Sequence, residues 1–528
     1  MTRRRALVAT ALGAFTLFAA GFPPGRLQEA PRQAPGAPLA PGPLGGDGAM
    51  PDDEALARHV CSQCHLFPPP DVLPRKSWGS IAYEMAGLAI GGIGAPKGGP
   101  PPTVDFDVDR VIHYYETHAP RVLPTPEPWP APEPGPGGLR FVRHPFRLAE
   151  GPATPTVANV AFWPLEPKGP LRIVAADMVA GLVLEGDPAR PEAGLRRLST
   201  GVPNPCHTQA VDLDKDGRID LLVADLGDVP PGDHLKGSVV WLRRLADGSF
   251  KPFTLASGLP RVADVEAADF DGDGRLDLVV AAFGWREVGG VYLLENRTTD
   301  WDHPVFVKRE LDTRQGAIHV PVADLNGDGR PDFVALFAQH YETVVAFLND
   351  GKGGFRKETV DQAPHPAWGS SGLSLVDLDG DGDLDVLVTN GDMLDDFLLK
   401  PYHSIRWLEN RGGYPFVPHD LATLPGVHRA RAVDLDGDGD LDIVACAYVQ
   451  FSVEGSPPSA FANQPSLVWL EQTAPGRFVR HTLELGGHHV SLDVGDYDGD
   501  GRPDILVGNF RTEGPAMLEI WENLGKER

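Results

Sequence analysis

Cysteine is scarce in this chain, with four residues in 528, which excludes a fold stapled by several disulfides. Cationic residues are short as well: 47 Lys and Arg face 73 Asp and Glu, leaving a formal charge of −26. Binding that rests on neutralising phosphates needs the opposite balance, so a nucleic-acid binder is excluded. Past the N-terminus no apolar run approaches the roughly 20 residues that span a bilayer. No H-E-x-x-H, G-x-S-x-G or phosphate-loop sequence occurs, so the signatures of zinc peptidases, serine hydrolases and P-loop enzymes are missing. Global disorder is excluded in its turn, because 42% of residues are hydrophobic.

Glycine and proline are plentiful, at 61 and 53 residues. Spread through a folded chain, they imply many tight turns and therefore many short strands. The length exceeds what one ordinary core accommodates and predicts several domains or a repeat array. Arg3, Arg4 and Arg5 precede an apolar run from Ala6 to Ala20 that ends in Ala19-Ala20-Gly21. Charged, then apolar, then small is the order of a secretory signal, assigned to residues 1–21. A retained membrane anchor is the alternative, against which the shortness of the run counts. Residues 22–50 follow as a Pro/Gly-rich tether, with 13 of 28 residues from Pro23 to Met50 being one or the other. The mature protein is expected to be exported, periplasmic or extracellular.

Residues 51–121 read as a small all-α module. Pro51-Asp52-Asp53-Glu54 opens a helix that leads into Cys61-Ser62-Gln63-Cys64-His65, a C-x-x-C-H attachment sequence. Two thiols one helical turn apart can add to the two vinyl groups of haem, and the adjacent imidazole is then held over the iron. A thioredoxin-like pair would need a βαβ context, and a zinc site a second ligand pair. A Pro-rich loop from Leu66 to Pro70 follows, then a helix from Trp78 to Met85. The segment from Asp107 to His118 closes the module, with Val111, Ile112 and Tyr115 as its apolar face. This segment resembles a small c-type cytochrome. The resemblance implies one covalent haem c on Cys61 and Cys64, His65 as proximal ligand and a methionine as distal ligand. Met85 is assigned that place, with His113 or His118 as alternatives. Residues 122–138 form a stiff linker, in which seven of the thirteen residues from Pro124 to Pro136 are proline.

Six acidic segments fill the remainder. They begin at Asp212, Asp269, Asp324, Asp377, Asp434 and Asp496, at separations of 57, 55, 53, 57 and 62 residues. A long, nearly fixed period with short strands on either side indicates a repeat architecture. Carboxylates at positions 1, 3, 5 and 9 around a glycine turn converge on one hard cation. The ligand sets are Asp212, Asp214, Asp216 and Asp220; Asp269, Asp271, Asp273 and Asp277; Asp324, Asn326, Asp328 and Asp332. The remaining three are Asp377, Asp379, Asp381 and Asp385; Asp434, Asp436, Asp438 and Asp442; Asp496, Asp498, Asp500 and Asp504. Position 12 is Val or Ala in every loop, so the bidentate Glu of an EF-hand is absent. Up to six Ca²⁺ ions are expected, which would bring the formal charge from −26 to −14.

Each repeat reads as four strands, which is a propeller blade. Residues 155–200 form a degenerate blade without the acidic loop. The last blade stops at Trp521-Glu522-Asn523, one strand short, while Arg140 to Phe146 supplies a spare fourth strand at the other end. The expected fold is mainly β: a seven-bladed propeller over residues 139–528, closed by its N-terminal strand, with the small cytochrome c-like domain in front. This region resembles the FG-GAP repeats of integrin-like propellers and their VCBS-type relatives, in which the acidic loops bind calcium.

On the face opposite those loops the inter-strand connections gather His207, His319, His365, His428, His488 and His489. Trp285, Arg286, His340, Tyr341, Tyr402 and His403 lie there too, with Tyr448 and Arg511. An acidic run at Asp392, Asp395 and Asp396 and a long loop after Cys446 complete the set. Long loops on a rigid scaffold commonly carry binding or catalysis, although histidines at such a mouth can simply line a solvated channel. Two functions follow. One is electron transfer between the haem and a redox partner protein or a small-molecule or polysaccharide substrate, with an oxidoreductase as its enzymatic form. The other is extracellular recognition or adhesion by the propeller, with the haem domain as sensor or relay. No catalytic residue is assigned.

Overall fold

In a computed structural model of the chain, the described residues are 52–63, 65–90, 106–149, 154–199, 201–394, 398–449, 463–511 and 514–526. The signal segment, the tether, Cys64, Asp395 and Asp396 lie outside them, as does most of the long loop after Cys446.

The apolar tetrads after the acidic loops explain the architecture. Leu221-Leu222-Val223-Ala224 is too continuous for a strand with one wet face. The strand Asp220–Asp225 is buried at every position, and so are Asp277–Ala282, Asp332–Phe337, Asp385–Asn390, Asp442–Ala447 and Asp504–Asn509. Such strands sit in the middle of sheets that are covered on both faces. The fourth strands, such as Phe250–Leu259, are mostly exposed or half-buried and form the outer rim.

Seven antiparallel sheets result, six of them built from consecutive strands. The innermost strands touch their neighbours in a closed circuit, Val157–Pro164 meeting both Pro205–Val211 and His489–Gly495. The seven-bladed propeller is therefore a closed ring. The seventh sheet joins both ends of the fold: Leu139–Arg147 pairs with Ala516–Lys526, with Phe141 opposite Asn523 and Phe146 opposite Leu518. In the fourth sheet the inner strand breaks into Ala317–His319 and Val322–Ala323 around Val320 and Pro321.

Apolar clusters lie between successive blades, as the face-to-face packing of sheets demands. Leu222 and Trp241 of the second blade pack with Val265 and Leu278 of the third. Asparagines at the ends of third strands add polar staples. Asn349 donates from its side-chain amide to the Phe270 carbonyl at 2.9 Å, and Asn523 donates likewise to Leu435 at 2.8 Å, each reaching the acidic loop of the preceding blade.

Among its described residues the N-terminal module has three α-helices: α1 (Asp53–Cys61), α2 (Arg75–Ile90) and α3 (Val108–His118). Asp52 caps α1 by accepting from the Ala55 N–H at 2.7 Å. Asp107 caps α3 through the Asp109 and Arg110 N–H groups at 3.1 and 3.3 Å. Trp78 and Tyr115 stack with ring centroids 3.8 Å apart, and both pin the Pro-rich loop. Trp78 Nε1 donates to the Pro70 carbonyl and the Tyr115 hydroxyl to the Pro68 carbonyl, each at 3.0 Å. The buried face of α3 is Val111, Tyr114 and Tyr115, with Ile112 only half-buried. The sequence reading took Ile112 for its hydropathy, but Tyr114 sits a helical turn below His118 and covers the core.

The linker, read as a spacer, also lies against the propeller. Trp129 Nε1 donates to the Thr423 carbonyl at 2.7 Å, Thr482 Oγ1 donates to the Pro130 carbonyl at 2.7 Å, and Arg480 pairs with Glu127 at 2.7 Å. At its end Gly137 has φ +56, and an added Cβ would stand 2.5 Å from the Trp469 ring. Only glycine fits that close approach.

Candidate functional site

One propeller face carries the acidic loops, which repeat one hydrogen-bond pattern. Asp212 accepts from the N–H groups of Asp216 at 3.0 Å and Gly217 at 2.9 Å. Asp269, Asp324, Asp434 and Asp496 do the same at equivalent positions, and Asp377 accepts from Gly382 N–H at 3.0 Å. The position-9 carboxylate ties the loop to the third strand: Asp220 accepts from Arg244 N–H at 2.7 Å, and Asp442 from Gln472 N–H at 2.7 Å. Carboxylate oxygens converge within 4.8 Å in the sets Asp212, Asp214, Asp220; Asp269, Asp271, Asp273; Asp377, Asp379, Asp385; and Asp434, Asp436, Asp442.

Burial, followed by smaller contributions that include the neighbouring carboxylates, pushes Asp220, Asp277 and Asp504 up to about 6 and Asp442 to about 7. Such clustering of anions asks for a cation. Part of the compensation is internal. At position 7, Arg218, Arg275, Arg330 and Arg502 each pair with the position-5 carboxylate of their own loop.

The opposite face holds a cavity of about 270 Å³ at the mouth of the ring. The helical module borders it. Met85 and Leu88 of α2 line it together with His207, His319, His340 and His428 from three blades. Glu84 of α2 pairs with Arg286, whose guanidinium lies 4.1 Å from the centroid of the Trp285 ring. Both Trp285 and Arg286 line the cavity.

Of the residues expected at this mouth, His207, His319, His340, His428, Trp285, Arg286 and Asp392 border the cavity, and so does Cys206. His365, His403 and Tyr448 are buried and do not line it. His489 is buried and paired with Glu484 at 2.7 Å. Cys206 and Cys446 are not bonded to each other.

Sequence reasoning missed the charged residues on the inner strands. Asp264 is buried between His207 Nδ1 at 2.6 Å and His319 Nδ1 at 3.4 Å. Burial opposes its ionisation, but the two imidazoles outweigh that and hold it well below the carboxylate range. Arg261, Glu342 and Arg429 also line the cavity. The available signal was a run of charges in strands whose neighbours are apolar, as in Val262–Ala268.

In the module, Cys61 ends α1 and is half-buried, and His65 sits four residues on with its Nδ1 2.7 Å from the Leu66 carbonyl. Burial lowers the His65 pKa, favouring the neutral imidazole. Met85 packs against the module's core while bordering the cavity. His113 and His118 are exposed, and His118 Nδ1 lies 2.8 Å from the Tyr114 carbonyl.

The buried histidines make stability pH-dependent. Burial lowers His319, His428 and His488 to about 4 and His365 to about 3; Arg429 adds to the effect for His319 and His428, His489 for His488 and Lys400 for His365. With folded values below the ordinary 6.5, the unfolded chain takes up protons first, so stability falls as pH drops from 6.5 toward 4. Glu342, pushed up to about 8 by burial, acts in the opposite sense between 4.5 and 8. The four histidines outweigh it. In saturating calcium the melting temperature is expected to fall by on the order of 5–10 °C between about pH 7.5 and about pH 5. The loss should shrink in His365→Phe/His488→Phe, and a flat profile would refute the assignment.

Residues 212–280, 324–388 and 389–445 match the FG-GAP-like repeat, and residues 490–511 match the FG-GAP repeat. The chain thus carries FG-GAP repeats within its propeller. No curated protein matches it. Among solved structures it is similar to a crystal structure of BBS1N in complex with ARL6DN soaked with lead, at 13% identity and a TM-score of 0.43. It is similar also to the same complex soaked with mercury, at 14% identity and a TM-score of 0.41. Each match covers 72% of this chain and 96% of the other. At these scores the likeness carries no argument about fold or function.

Proposed function

We propose that this chain is an exported c-type haem protein that transfers electrons, with a calcium-stabilised propeller that binds the substrate or redox partner at its mouth. The observation that carries this reading is the placement of the C-x-x-C-H segment. Cys61 ends α1 and His65 follows four residues on, in the module whose Met85 and Leu88 border the propeller's cavity.

The residues present fit such a group. Cys61 and Cys64 would hold it through thioether bonds, and His65 would ligate the iron through Nε2, since its Nδ1 is turned to the Leu66 carbonyl at 2.7 Å. A bound haem supplies a one-electron Fe(III)/Fe(II) couple. The chain's own part is to exclude water with Trp78, Tyr114, Tyr115 and Phe67, and to fix the module to the mouth through Glu84 and Arg286. One electron enters from a donor and leaves to an acceptor, with no atom transferred. In the acidic loops the convergent carboxylates fit Ca²⁺, a hard cation that takes oxygen ligands. Among the described residues no helix is long and apolar enough to cross a membrane.

A second reading, a recognition or adhesion propeller, is favoured by the FG-GAP match itself, since such a fold is of a ligand-binding type. The two separate on haem. The chain, exported from a host with haem-attachment machinery, should carry one covalent haem per molecule by mass and show c-type oxidised and reduced spectra. Cys61→Ser/Cys64→Ser should lose the covalent haem entirely. A wild-type chain without covalent haem would leave only the recognition reading.

A further inference from the structure

The module and the propeller each bring one imidazole to their junction. His65 and His340 have ring centroids 6.2 Å apart and planes inclined by 18°. With metal–nitrogen bonds of about 2 Å on each side and each ring centre roughly 1 Å behind its nitrogen, two imidazoles trans on one metal stand about 6 Å apart. From this geometry, and resting on the haem reading above, we infer that His340 is the second axial ligand, so that the haem is shared between the helical module and the fourth blade.

Three further observations converge on it. Each ring has a polar partner at Nδ1, the arrangement that fixes the tautomer of a ligating histidine and leaves Nε2 as its donor atom. For His65 that partner is the Leu66 carbonyl at 2.7 Å; for His340 it is the Gln315 side-chain amide at 2.7 Å. The Gln315 amide nitrogen is the atom placed against the ring; rotated by a half-turn, the same amide presents its oxygen there and accepts the Nδ1 proton. The loop carrying His340 is also held in an uncommon conformation. Gln339 and Glu342 on either side have φ of 59 and 40, the left-handed region that non-glycine residues seldom occupy. Glu342 anchors the loop by accepting from the Gly369 and Ser370 N–H groups at 3.2 and 3.0 Å. Finally, His340 borders the same cavity as Met85 and Leu88, beside the Glu84–Arg286 pair that seats the module.

The alternative is ligation by Met85, which would confine the haem to the module. The two differ in kind: a methionine ligand gives a weak sulfur-to-iron absorption band and a higher potential than a second histidine. The test uses the full-length protein, with covalent haem counted by mass and ligation read from ferric visible and electron paramagnetic resonance spectra. The wild type should be low-spin without the sulfur band. His340→Ala should keep its haem but turn high-spin, and millimolar imidazole should restore the low-spin spectrum. His340→Met, which keeps a ligand at the same place, should gain the sulfur band and a raised potential. Met85→Ala should leave the spectrum unchanged. A wild-type sulfur band that disappears in Met85→Ala, with His340→Ala unaltered, would overturn the inference while leaving the haem reading intact. Absence of covalent haem from the wild type would overturn both, and the haem count distinguishes the two failures.

Discussion

Stripping calcium with a chelator is expected to lower the melting temperature of the propeller by on the order of 20 °C. Each occupied site stabilises the fold by about 2.7 kcal/mol when free calcium is 100 times its dissociation constant. Six such sites give roughly 16 kcal/mol, against an unfolding entropy that sets the shift for a domain of this size. The structural reason is the crowding of carboxylates that burial already holds above their ordinary range, as at Asp442 and Asp220. Without a cation each loop retains only a few basic side chains, its own arginine and in two loops also Arg243 or Arg297 from the end of a third strand, and not every loop has an arginine of its own. Position 7 is Arg218, Arg275, Arg330 or Arg502 in four loops but Asp383 or Asp440 in the other two. Asp436 of the latter pair borrows Lys526 from the seventh blade at 2.7 Å. The loop from Asp377 to Asp385 makes no ion pair among the described residues. The fifth blade should therefore open first in chelator, read as early hydrogen exchange along Asp385–Asn390. An unchanged melt would remove the calcium reading, and uniform exchange across blades would remove the ranking.

The ring and its closure were legible because a repeat states its rule six times. The acidic segments gave the period, the missing fourth strand after Asn523 gave the vacancy, and Arg140–Phe146 gave the strand that fills it. The observed register, with Phe146 opposite Leu518, agrees. What the sequence did not disclose arises once only and between distant segments. Nothing in Glu84 or Arg286 announces that they meet 202 positions apart. The seating of the module on the mouth is a property of two surfaces, and periodicity carries no information about surfaces. The Pro-rich linker has a composition that reads as a spacer, yet Trp129, its one aromatic residue, is what pins it to Thr423. Asp264 was passed over because one carboxylate in a strand has no pattern; only the fold brings His207 and His319 to it. His340 was legible as a mouth residue, but its proximity to His65 depends on that same docking.

Removing the closing strand is the other change with a large expected effect. A propeller without closure is an open arc, and its last sheet then presents the bare edge of Ala516–Lys526, a template for pairing with other chains. Leu139–Arg147 covers that edge, and its own outer side faces solvent, which is why Pro145 is tolerated in it. The strand also contributes to packing between the first and last blades. Phe146 is fully buried among Leu506 and Leu518 of the seventh blade and Val157, Ile173 and Leu184 of the first. Phe146→Ala should therefore cost about 3–5 kcal/mol and lower the melting temperature by on the order of 5 °C. Deleting residues 139–147 should do more, abolishing the single cooperative transition and driving the protein into aggregates on gel filtration. A synthetic peptide of the deleted segment should recover part of the monomer, because the edge it pairs with remains intact. The two variants separate two roles: the point substitution weakens one inter-blade interface, whereas the deletion also removes the strand that completes the last blade and ties it to the first. If the deletion variant melted like the wild type, closure by the N-terminal strand would contribute nothing to stability, and the ring would have to be held by its inner strands alone.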